Sequence, residues 1–178
     1  MLTVVPNAML TTGSAANAGS LNVFVPTVDF GSGLTNTGNA IFQGTTVDGP
    51  VHVADGSTVT VLGDVTFNDE VTGGGTFWGW GTTHFEGGYS PGASPDLVTF
   101  EGSVALGASN TLLLEVYGAT PGAQHDMLEI GGDLTLGGDL SVWFDAAFAI
   151  PTPTVPLILM SAGGTISGEF ANVAPGGT

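Results

Sequence analysis

Three histidines and sixteen carboxylates carry nearly all the acid–base chemistry open to this chain of 178 residues, which has no Lys, no Arg and no Cys. Asp69-Glu70 is the only adjacent acidic pair. Hydrolysis of a glycosidic bond needs two carboxyl groups some 5–10 Å apart, estimated from known enzymes. Neighbours in a strand point to opposite faces, so this pair would have to act from a turn, and it reads first as a solvated corner. The histidines are scattered at His52, His84 and His125. Only His125-Asp126 sets an imidazole beside a carboxylate, and Asp at a turn commonly caps its own backbone. A structural role is therefore expected there rather than a catalytic or metal-binding dyad. Serines are plentiful, but no G-x-S-x-G elbow occurs. No catalytic residue is assigned, and the chain is expected not to be an enzyme.

Two further groupings suit binding rather than reaction. Asp64, Asp133 and Asp139 each follow Gly at a corner. Their oxygens make them candidate ligands for Ca2+, although their spacing matches neither an EF-hand loop nor the nonapeptide calcium repeat. No other cofactor is implied. The aromatic run Phe77-Trp78-Gly79-Trp80 is followed by His84-Phe85 and Tyr89. Strand alternation sets Trp78 and Trp80 on one face and Phe77 on the other. If exposed, Trp78, Trp80 and Tyr89 would stack on sugar rings or on a partner protein; if enclosed, they would fill the core.

The missing cations exclude much else. The formal net charge is −16. Without Lys or Arg the chain has no means of displacing counterions from a phosphate backbone, so nucleic acid is excluded as a partner. An anionic membrane surface repels it, and no apolar run is long enough for direct insertion into a bilayer. Sixteen uncompensated carboxylates repel one another and favour a setting where salt or divalent cations screen them.

These residues must be positioned by strands. Hydrophobic residues make up 42% of the chain and 30 residues are Gly. From about Val47 onward, runs such as Thr58-Val59-Thr60-Val61-Leu62 and Val65-Thr66-Phe67 alternate with period two between Gly or Asp-Gly corners, which marks strands. No stretch carries helical periodicity. Ile130-Gly131-Gly132-Asp133-Leu134-Thr135-Leu136 is nearly repeated in Gly137-Gly138-Asp139-Leu140-Ser141-Val142. One such unit per turn of a solenoid stacks a column of Leu, Val and Phe. The expected fold is all-β, a right-handed parallel β-helix over residues 47–178. Residues 1–46 are expected to form an N-terminal strand, a linker and a cap. A sharper alternative makes the apolar start, with Met1, Leu2, Val4, Val5, Met9 and Leu10, a strand that docks on a neighbouring subunit.

The second half also carries a resemblance. Tyr89-Ser90-Pro91-Gly92-Ala93-Ser94-Pro95-Asp96-Leu97-Val98, Leu112-Leu113-Leu114-Glu115-Val116, Gly122-Ala123-Gln124-His125-Asp126-Met127-Leu128 and Gly131-Gly132-Asp133-Leu134-Thr135-Leu136 resemble the repeat elements of bacterial autotransporter-type passengers. They are also similar to exported proteins with PEP-CTERM sorting tails. The resemblance implies a β-helix that is secreted or held at the bacterial cell surface. No signal peptide with a basic start is visible in this chain, and no membrane-barrel domain or sorting tail.

Three functional classes follow as expectations. The first is a structural extracellular protein that self-assembles, as a homo-oligomer or homopolymer, into a filament, sheath or surface layer. The second is an adhesive module that binds an extracellular glycan through the Trp78/Trp80 face. The third is a glycosidase working through two carboxylates.

Overall fold

The computed structural model describes residues 2–4, 10–92, 95–148 and 156–174. The chain winds through successive coils of three short strands each. The first coils are β1 (Leu2–Val4), β2 (Leu10–Thr11) and β3 (Ala15–Asn17), then β4 (Ser20–Val23), β5 (Thr27–Asp29) and β6 (Leu34–Asn36). Next come β7 (Asn39–Gln43), β8 (Thr46–Asp48) and β9 (Val51–Val53), then β10 (Thr58–Leu62), β11 (Val65–Phe67) and β12 (Glu70–Gly73). The fifth coil is β13 (Thr76–Trp78), β14 (Thr82–Phe85) and β15 (Gly88–Pro91), and the sixth is β16 (Leu97–Phe100), β17 (Ser103–Leu106) and β18 (Thr111–Val116). The seventh is β19 (Met127–Ile130), β20 (Leu134–Leu136) and β21 (Asp139–Phe144), and β22 (Met160–Ala162) with β23 (Ile166–Gly168) begins an eighth.

Every third strand pairs in parallel, giving faces of eight, eight and seven strands. This is a parallel β-helix. On the first face Leu2, Leu21, Ala40 and Val59 lie in register, each 19 residues after the last. Inward positions are apolar because a coil has no interior except the one it shares with its neighbours. Val23, Val28, Phe42, Val47, Val59, Phe67, Val71 and Phe85 are all fully or almost fully buried. In the middle coils the column becomes aromatic. Phe77 stacks on Phe100 with ring centroids 4.5 Å apart, and Phe85 on Tyr89 at 4.3 Å. Such pairs contribute about 0.5–1.5 kcal/mol each beyond their buried area.

The structure draws no boundary at residue 46. β3 through β8 sit on the same three faces as every later coil. Ala15, Leu21, Val28, Leu34 and Ala40 serve as inward residues with smaller side chains, which hid the period in the sequence. Leu2–Val4 pairs with Leu21–Val23 of its own chain, and Leu10–Thr11 with Val28–Asp29. The apolar start is thus the first coil rather than a free docking strand; Met1, Val5 and Met9 lie outside the described residues.

At the corner between the first and second faces the backbones of successive coils lie in direct contact. Gly132 N–H donates to the Gly102 carbonyl at 3.0 Å, and Gly164 N–H to the Gly132 carbonyl at 2.9 Å. A Cβ on Gly81 would strike the Gly63 carbonyl oxygen, and one on Gly102 would strike that of Gly81. Gly81 and Gly102 are therefore required by coil-to-coil contact. Gly102→Ala is expected to lower stability by about 1–3 kcal/mol, as overpacking does, with the urea midpoint shifted and the m-value retained.

Candidate functional site

The corner between the third and first faces behaves differently. Two residues span it between β12 and β13, then five, ten and fifteen in the following coils. The faces keep their register while this one corner lengthens, so connecting segments accumulate along one edge of the C-terminal half. Loops set on a rigid scaffold are where variable chemistry is placed.

Asp126 fixes that edge. It is 1% exposed. Its Oδ1 accepts the Asp96 N–H at 2.9 Å and its Oδ2 the Glu115 N–H at 2.7 Å. Its own N–H donates to the Glu115 carbonyl at 2.9 Å, and the Met127 N–H donates to the Asp96 carbonyl at 2.9 Å. Asp126 was expected to cap its own turn; it instead ties three segments from successive coils. His125 is also buried, with Nδ1 3.1 Å from the Gly118 carbonyl. A carbonyl only accepts, so Nδ1 carries the proton. Nε2 is buried without a partner among the described residues.

Acidic groups converge beside this staple. Burial raises the pKa of Asp126 above the ordinary carboxylate value, opposed by its two backbone N–H donors and reinforced by Glu115 and Asp96. Burial also raises Asp96, opposed by the Leu97 N–H and reinforced by Asp55. Tyr89 lies wholly inside; burial first, and then Asp96 and Asp126, push its phenol well above its usual value. Its hydroxyl has no partner among the described residues. Tyr89 therefore belongs to the core, and its place in an expected contact surface with Trp78 and Trp80 is corrected: strand alternation turns it inward, where Phe85 stacks on it.

Trp78 and Trp80 do lie outside, 54% and 80% exposed. Trp80 lines an open groove of about 790 Å³ together with Thr99, Glu101, Glu129, Gly131, Ser161 and Gly163. Trp78 stands outside that lining. The sequence reading missed Glu101 and Glu129. Glu129 alternates with the buried Leu128 and Ile130, and that outward position was the available signal.

The three candidate calcium ligands do not meet. Asp64 precedes β11 and Asp133 precedes β20, three coils apart, while Asp139 opens β21 at another corner. Three strand spacings are roughly 14 Å, far beyond a shared cation. Asp64 Oδ1 instead accepts the Thr82 N–H at 3.4 Å, and Asp133 Oδ1 the Thr165 N–H at 2.7 Å, each in the next coil. Among the described residues no group of three or more His, Asp or Glu is arranged to hold a metal ion. Asp69, of the acidic pair, accepts the Gly49 N–H at 2.7 Å.

The C-terminal end of the stack is a second distinctive surface. Phe144 registers with Val116, and Ile166 with Leu134. Val116 and Leu134 are buried, whereas Phe144 is 52% and Ile166 53% exposed. They occupy inward positions with no coil above them among the described residues. Phe170 covers part of this end, and the Asn172 side chain both accepts from the Leu140 N–H and donates to its carbonyl, at 2.9 Å each. Trp143 faces outward on the flank, in register with Glu115 and 5.2 Å from the Tyr117 ring, and Ile158 and Val173 are also exposed.

Comparison with protein families, with curated proteins and with solved structures returns no match. The functional reading therefore rests on the residues themselves.

Asp96 and Asp126 generate a pH prediction. Their folded-state pKa values are raised, so the folded chain binds protons more readily than the unfolded one between neutral pH and the ordinary carboxylate value of about 4. Stability should therefore rise as pH falls from 7 towards 4, read as an increasing Tm. Asp126→Asn removes that charge but turns an amide NH2 towards a backbone N–H. The variant should lose about 1–3 kcal/mol at pH 7 and show a flatter Tm-against-pH curve.

Proposed function

We propose that this protein is a structural, non-catalytic β-helix that assembles end to end with copies of itself. The observation that carries the reading is the end of the stack, where Phe144 and Ile166 occupy core positions yet are half exposed, with no coil above them among the described residues. A second copy supplies what such an end lacks. Its β1, β2 and β3 are the outermost strands of the same three faces at the other end. Placing β1 and β2 over β22 and β23 continues the parallel ladders of the first two faces, while the third face, one strand shorter, keeps a one-coil gap between β21 and β3 of the second copy. Contact between unlike ends is heterologous and does not close on itself, so it yields a filament.

An exported bacterial setting is part of the proposal. The likeness of residues 89–98 and 112–136 to autotransporter-type and PEP-CTERM-associated proteins supports it. So does the charge, since copies carrying −16 each approach only where ions screen them or protons neutralise them.

Light scattering and negative-stain microscopy across protein concentration and NaCl from 0.05 to about 0.5 M (spanning Debye lengths of about 14 to 4 Å) check the reading. Rods that lengthen with concentration and salt are expected. Ile166→Glu, at a half-exposed position, should leave the fold intact by circular dichroism and weaken association at least about tenfold, because it buries a charge at the joint. A wild-type chain that stays monomeric throughout would refute end-to-end assembly.

A further inference from the structure

The groove beside Trp80 is built from parts that the stack itself aligns. Thr99, Glu129 and Ser161 are consecutive register partners on β16, β19 and β22, and all three line the groove. They form a column of hydroxyl, carboxylate and hydroxyl at strand spacing. The Trp80 indole, 80% exposed, lines the same groove. Gly131 and Gly163 lie in the lining as well and add no side chains to it. The lining runs from the corner after β13 to β22, roughly 14 Å at a strand spacing of about 4.8 Å. Glu101 is held at the rim by the Gly79 N–H, 3.1 Å from its Oε2.

The geometry points to a binding site for an uncharged polysaccharide segment, with a sugar ring stacked on Trp80 and its hydroxyls met by Thr99, Glu129 and Ser161. An exposed indole presents a flat apolar face to the C–H side of a pyranose ring. Carboxylates and hydroxyls are the acceptors and donors that orient a polyol. Charge selects among glycans. With two carboxylates in the lining, no Lys or Arg anywhere and a net charge of −16, uronic-acid and sulfated chains are repelled. The site sits on the flank of the β-helix, so it does not depend on end-to-end assembly.

Isothermal titration with cellohexaose, xylohexaose and chitohexaose, with polygalacturonate and poly-L-lysine alongside, tests this. The proposal expects at least one neutral hexaose to bind, insensitive to 0.5 M NaCl (a Debye length of about 4 Å), and polygalacturonate not to bind. Trp80→Ala should weaken that binding by at least about tenfold, the scale for one interface anchor. Trp80 is exposed, so its removal leaves the core untouched, and Trp78→Ala serves as the control that retains binding. Glu129→Gln, which keeps the shape but alters the acceptor, should weaken it several-fold. Failure of all three hexaoses to bind at millimolar concentration would overturn the proposal. So would binding confined to poly-L-lysine and abolished by salt, which would mark the groove as a site for cationic peptide. Equal binding by wild type and Trp80→Ala would also overturn it.

Discussion

The fold depends on one contact, the parallel ladder by which each coil hydrogen-bonds to the coil beneath it. Strands stacked about 4.8 Å apart leave no room at a tight corner for a Cβ that points at the previous coil. The Gly81, Gly102 and Gly132 corner obeys that limit, and the faces on either side keep their register across it. Once register is set, inward positions in successive coils form one continuous column, from Val28 and Val47 through Phe67 and Phe85 to Leu106. Only the corner between the third and first faces escapes the constraint, and there the chain lengthens.

The absence of cations shapes everything outside that column. A carboxylate here cannot form a salt bridge with Lys or Arg, so several take backbone N–H groups instead. Asp64, Asp69, Glu101, Asp126 and Asp133 each accept from a residue of another coil. These bonds tie the stack together without neutralising it. Residual repulsion remains between the acidic groups, most acutely where Asp96 and Asp126 crowd a buried phenol. Protonation and salt therefore act on the fold and, in the proposed assembly, on the approach of a second copy in the same direction.

Much of this was legible in the sequence. Period-two runs between glycine corners gave the strands, and the near-repeat of Gly-Gly-Asp-Leu gave the solenoid. The start of the stack was not legible, because Ala15, packed against the core, and Ala40, inside it, are too small to mark inward positions in the sequence. Asp126 was noticed, but its partners Asp96 and Glu115 lie 30 and 11 residues away in the chain, a distance that no local turn rule spans. The calcium reading failed for the complementary reason: Asp64, Asp133 and Asp139 share a local motif but occupy different coils and corners. Tyr89 followed the alternation inward and Trp78 outward, whereas Trp80 lies past the end of β13, in the corner, and is exposed there. The groove depends on which coils are neighbours, so Thr99, Glu129 and Ser161 had no common signature until the register joined them.

Stability resides in the coil-to-coil ladder, and among the described residues no coil lies beyond β21 to β23. Amide hydrogen exchange followed residue by residue, at low and high protein concentration in screening salt, tests it most directly. The account predicts the slowest exchange in the aromatic coils of β13 to β18 and faster exchange at Val142, Phe144 and Ile166, with protection at that end rising as concentration increases. Protection that is greatest at the C-terminal end of the dilute protein, or that does not change there with concentration, would contradict it.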